Sequence, residues 1–229
     1  MTAPRARSVS SRPGAATVVS GSARELEGVV GDARADQVIA AVYAGFERTE
    51  FPGGPFLQGS FDGCEPGEEV GPFRTIEDWR LAEPALLDAH YCALSFFSEG
   101  GFRFFIPAYM VADLRGQLMT ADPVFHLTHG FSVFSYSTTV GDKPMTHRSG
   151  GEVLLNPRRY GAMTWEDRVR HRMSVFTREE VGAIVEYLTF RRASDDIPEE
   201  IDAALDRFWR PRAQSAPTAD MLAAFLAKP

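Results

Sequence analysis

The sequence predicts a mainly α-helical protein: a single helical domain, with a small β-hairpin around residues 131–155 as its only strand signal. Three observations carry that expectation. Apolar residues recur at one-turn spacing in segment after segment, as helices with one buried face require. Ser, Thr or Asp stands ahead of several such segments, often with a carboxylate three residues on, where a helix start needs acceptors for its free N–H groups. Between residues 32 and 209 of the 229-residue chain no linker-like stretch interrupts these signals.

The elements follow in order. Residues 1–31 are rich in Ser, Ala, Arg and Pro, lack periodicity, and read as a disordered N-terminal tail. Asp32 caps a helix over 33–48, with Val38, Ile39, Val42 and Phe46 on one face. Residues 49–73, rich in Gly and Pro, read as a long loop that carries the acidic piece Glu65–Glu69. Thr75 and Asp78 form a capping box before Trp79. Pro84 suits the first turn of a helix through about Phe97 that carries Leu86, Leu87, His90 and Leu94. Ser98 caps a short turn over 99–105. Pro107 has no N–H for a helix interior, so it is expected to open a separate helix over about 107–119.

Asp122-Pro123 pairs an N-cap with a first-turn proline and opens a short helix through Leu127. The segment 131–155 is the least helical, and its hairpin would pair Phe131–Phe134 with Glu152–Leu155. Thr164 with Asp167 and Thr177 with Glu180 cap two further helices, and Pro198 opens a third. Residues 210–229 read as a Pro-bearing linker and a short C-terminal helix with Met221, Leu222, Phe225 and Leu226. A helix that short needs a surface to dock on.

Composition narrows the function classes. Hydrophobic residues are 44% and charged residues 24%, the balance of an ordinary globular protein rather than a fibrous or wholly disordered one. The formal net charge is -7, and because residues 1–31 sum to +2 the remainder carries -9. An acidic domain argues against a general nucleic-acid binder. No apolar run is long enough to span a bilayer. Two cysteines, Cys64 and Cys92, make no disulfide framework and read as free thiols of a reducing compartment. The N-terminus lacks an apolar signal core, so the expected location is the cytoplasm.

Three groups of residues are candidates for chemistry. His126 and His129 are three apart, so on a helix they share a face, as metal ligands must. Asp122 and His147 could complete a divalent-metal site, although no HExxH or CxxC spacing accompanies them. Without such a site no cofactor is predicted. Arg158, Arg159, Arg168, Arg170, His171 and Arg172 form a basic cluster that could receive a phosphate or carboxylate, or could pair internally with Glu166, Asp167 and the acidic stretch 195–206. The aromatic run Phe96, Phe97, Phe102, Phe104, Phe105 and Tyr109 reads as core rather than as a base-stacking platform. No G-x-S-x-G, phosphate-loop or dinucleotide motif is present.

The block from Ala93 to Met110, A-L-S-F-F-S-E-G-G-F-R-F-F-I-P-A-Y-M, resembles a family of uncharacterised bacterial proteins. So do Trp79, the Asn156-Pro157-Arg158-Arg159-Tyr160-Gly161 block and a late helix ending in Phe208-Trp209, so the likeness spans about residues 35–209. Glu99-Gly100 departs from the Pro-Glu of the family pattern. The resemblance implies a shared fold and brings no catalytic residues with it. It directs attention to Arg103, Tyr109, Arg158, Arg159 and Tyr160 as ligand contacts. For Arg103 the favoured reading is a buried strut paired with a carboxylate such as Asp113.

The expected function is a non-enzymatic binding or protein-interaction module that engages a partner through the acidic loop 62–71 or the basic cluster 158–172. Two alternatives stand beside it: a metal-dependent enzyme or metalloprotein using His126, His129 and His147, and a binder of phosphate or other anions at the arginine cluster.

Overall fold

The helices are built around one apolar rod. This computed structural model describes residues 21–228 apart from 142 and 197, with side chains from residue 33 onward except that of Val140. Residues 1–20, most of the expected tail, lie outside the described residues. Helix α1 runs over Gly21–Gly45, α2 over Glu65–Val70, α3 over Pro84–Ala89, α4 over Ala93–Phe96, α5 over Glu99–Leu114 and α6 over Pro123–Thr128. A hairpin of β1, Phe134–Val140, and β2, Lys143–Ser149, follows. Then come α7, Pro157–Tyr160; α8, Trp165–Met173; α9, Arg178–Arg191; α10, Pro198–Ala204; α11, Arg210–Ser215; and α12, Ala219–Leu226.

Residues 35–229 form one compact unit. Helix α5 is its centre. Every residue from Phe104 to Ala112 is buried, so this helix is apolar around its whole circumference. Phe73, Phe97, Phe104 and Phe105 pack ring to ring beside it, with centroids 4.9–5.1 Å apart. Phe102 and Phe176 join this group to Trp209, which is fully buried and donates its indole N–H to the Leu127 carbonyl at 2.9 Å. Among the described residues no helix is long and apolar enough to cross a membrane.

The helical class is as the sequence predicts, and several of the expected caps form, while Asp32 lies inside a helix rather than at its start. Thr164/Asp167 and Thr177/Glu180 both form full capping boxes, and Asp122 accepts from the Phe125 N–H. Several boundaries differ for physical reasons. Helix α1 begins at Gly21, before Asp32. Asp78 caps the turn at Trp79 alone, without Thr75. The segment expected as one helix through Phe97 divides into α3 and α4. The expected loop 49–73 holds α2, whose Pro66 and Val70 are buried, so its acidic piece is helix rather than free loop.

Pro107 lies inside α5 instead of opening a new helix. It cannot serve the Arg103 carbonyl with an N–H, a loss of about 3 kcal/mol in an isolated helix. Burial of the flanking aromatics offsets that loss. The strand pairing also differs: Phe134 faces Ser149 and Val140 faces Lys143, while Leu154 bridges to Thr164. Arg210–Ser215, expected as linker, continues the helix that starts at Pro198 through a π turn at Leu205–Trp209.

Gly150 closes the base of the hairpin at φ +87, and a Cβ there would lie 2.0 Å from the Ser132 carbonyl oxygen. Gly150→Ala is therefore expected to lower stability by about 1–3 kcal/mol. Urea unfolding checks this, and an unchanged midpoint would contradict the close approach.

Candidate functional site

Helix α8 divides its charges by helical phase. Trp165, Arg168, Val169, Arg172 and Met173 fall at positions i, i+3, i+4, i+7 and i+8, which is one face. With Ser95, Phe125, His126 and His129 they line a cavity of about 330 Å³. The other face holds Glu166 and Arg170, paired at 2.5 Å across one turn, and Arg207 joins Glu166 at 3.0 Å. Part of the basic cluster is thus paired internally, and Arg168 and Arg172 are left to the cavity.

The two histidines are fixed by α6. The His129 N–H donates to the Phe125 carbonyl at 2.7 Å and ends the helix. Its imidazole stacks on Phe125 with centroids 4.6 Å apart and meets the Trp165 ring edge-on at 5.6 Å. Burial among these rings lowers its pKa. His126 is held lower still, at about 3, first by burial and then by the positive charge of Arg172 and the neighbouring His129. Both imidazoles are neutral near pH 7, and each offers one N–H donor and one acceptor nitrogen.

Arg172 is mostly enclosed. Its Nη2 donates to the Leu94 carbonyl at 2.6 Å, and its guanidinium lies 4.5 Å over the Phe102 ring. Burial brings its pKa down to about 10, so it stays charged at neutral pH. Among the described residues neither Arg168 nor Arg172 forms an ion pair. No carboxylate lines the cavity. Glu99 favours the Arg172 charge from beyond ion-pair distance. A largely enclosed charge with no counter-ion in contact is costly, and an arriving anion relieves that cost.

Two other cavities lack this property. The one beneath α12, about 400 Å³, is lined by Glu47 and Glu50 as well as Arg48 and Arg103. Its arginines are already paired, Arg48 with Asp220 and Arg103 with Glu180. The cavity at Asp113 and Asp122 contains Arg191, which pairs with Asp113 at 3.3 Å.

The residues singled out from sequence separate in space. Arg103 is a strut, but its partner is Glu180 rather than Asp113, with Nε 2.9 Å from Oε2. Asp113 instead accepts from the Tyr187 hydroxyl at 2.6 Å. Tyr109 is fully buried, with its hydroxyl on the His90 carbonyl at 3.2 Å. Arg158 and Arg159 are exposed on α7, and both Arg159 and Arg168 lie over the Tyr160 ring, at 5.2 and 5.9 Å. His147 sits on β2, bonded to Thr138 at 2.9 Å and stacked on Tyr136. Among the described residues no group of three or more His, Cys, Asp or Glu is placed to hold a metal, so His126, His129 and His147 do not assemble into one site. Cys64 and Cys92 are both free thiols.

A family model described as a family of unknown function, DUF6714, matches residues 60–213. The chain belongs to the DUF6714 family. The match spans every residue that lines the His126–Arg172 cavity, so this site lies wholly within the DUF6714 region. Comparison with curated proteins and with solved structures found no match. In this DUF6714 chain, sequence reasoning missed Ser95 and Trp165 as members of the site. The phase of α8 carries a signal for Trp165: once Trp165 starts the helix, Arg168 and Arg172 share its face.

Proposed function

We propose that this protein binds a small anionic ligand in the cavity formed by α4, α6 and α8. The observation that carries this reading is Arg172, largely enclosed and charged, with no carboxylate in ion-pair contact; Glu99 favours its charge only from a distance. Arg168 adds a second positive charge one turn away. The neutral imidazoles of His126 and His129 add hydrogen-bond donors that need no further charge compensation. The cavity volume lies at the small end of the range for small-molecule sites.

Thermal denaturation in the presence of acetate, sulfate or phosphate tests the reading. Ligand bound to the native state alone adds about 2.7 kcal/mol of stability at a hundred times its Kd. The wild type is expected to gain melting temperature with at least one of these anions. Arg172→Gln should abolish the gain and Arg168→Gln should weaken it. Arg158→Ala/Arg159→Ala should retain it, because those side chains are exposed outside the cavity lining. Equal gains in the wild type and Arg172→Gln would remove the proposal.

A further inference from the structure

We infer that the anion bound in this cavity carries a flat aromatic ring, an inference that rests on the anion-site reading above. The cations of the cavity are Arg168 and Arg172. Much of the remaining lining is ring and aliphatic surface: Phe125, His129, Trp165, Val169 and Met173. One face of Phe125 lies on His129, yet the ring is 44% exposed while its neighbours Val124 and Leu127 are buried. His126 also meets the Phe125 ring edge-on, and the part of this apolar ring left open lines the cavity. Trp165 meets His129 edge-on, which extends the aromatic wall.

An inorganic anion would satisfy the guanidinium groups and leave this wall in water. A planar ring joined to the anionic group satisfies both the guanidinium groups and the wall. It can lie against Phe125 and Trp165 in the offset or edge-on arrangements that aromatic quadrupoles favour, while its carboxylate or phosphate meets Arg172 and Arg168. A flexible aliphatic chain would cover the wall without those arrangements. Carboxylate and phosphate head groups share this chemistry, and matched pairs of probes distinguish them.

Calorimetric titration of the full chain gives the test. The probes are acetate, benzoate and cyclohexanecarboxylate, with inorganic phosphate and phenyl phosphate as the second pair. Benzoate is expected to bind about tenfold more tightly than acetate, about 1.4 kcal/mol. Phenyl phosphate should exceed inorganic phosphate by a similar factor, and whichever aryl probe binds more tightly identifies the head group. Benzoate should also exceed cyclohexanecarboxylate several-fold, since the two match in size but only benzoate is flat. Phe125→Ser, a change at a partly exposed position, should erase the aryl preference, so that benzoate no longer binds more tightly than acetate. Binding of acetate or phosphate as tight as that of the aryl probes would overturn the aromatic inference and leave the anion site standing. Equal binding of benzoate and cyclohexanecarboxylate would overturn it too. Absence of binding by all five probes would overturn both.

Discussion

Glu180→Ala is expected to cost about 3–5 kcal/mol of stability, the scale for breaking a buried pair by removing one partner. Glu180 is 1% exposed and joins three segments. Its carboxylate accepts from Arg103 Nε at 2.9–3.0 Å, from the Thr49 hydroxyl, and from the Thr177 N–H at 2.8 Å. Alanine would leave the Arg103 guanidinium without its counter-ion against the core and would open the N-terminus of α9. The melting temperature should fall on the order of 10 °C. Arg103→Ala should cost less, because the remaining carboxylate keeps its hydroxyl and amide donors. The double variant should show a coupling of about 2 kcal/mol, and additivity within about 0.5 kcal/mol would contradict the strut.

Acid sensitivity between pH 6.5 and about 3 is the second large expected effect. His126 has a native pKa of about 3 against an ordinary value of 6.5, and that of His129 is also lowered. The unfolded chain therefore binds protons in that window that the native state excludes. Stability from these groups is complete above pH 6.5 and is lost as pH falls toward the native values. The slope is up to about 1.4 kcal/mol per pH unit for each imidazole. Partly buried Asp113 acts with the opposite sign, since its pKa is raised, first by burial. The comparison that isolates the histidines is His126→Gln/His129→Gln, whose stability should be flatter from pH 6.5 to 5. Parallel curves for the two proteins would show that the imidazoles are not desolvated. An anion in the cavity would offset part of the field of Arg172 at His126, so ligand should reduce the acid loss.

What was legible in the sequence was local. The Thr164/Asp167 and Thr177/Glu180 boxes and the Asp122-Pro123 start need only residues three apart, and they stand where the spacing places them. Pro107 was misread because its local cost is real, while the burial that overcomes it comes from partners distant in the chain. The hairpin register was hidden because most of β2 is exposed, so no alternation marks a buried face. Arg103 was recognisable as a strut, but Glu180 lies 77 residues away and nothing local points to it. The cavity was half legible. His126, His129 and the arginine cluster stood out by residue type. Which arginines pair internally follows from the helical phase of α8 and from Arg207, 41 residues from Glu166. Residue type alone suggested His147 as a further ligand, yet its strand holds it against Thr138 and Tyr136.

The anion site itself is tested most directly by the imidazole signals of isotope-labelled histidine during a benzoate titration near pH 7. The chain has five histidines, and only His126 and His129 line the cavity. Their ring resonances are expected to move together and saturably, while those of His90 and His147 stay in place, and Arg172→Gln should suppress the movement. Signals from His126 and His129 that remain fixed through the titration, or that move no more than those of His90 and His147, would contradict the site.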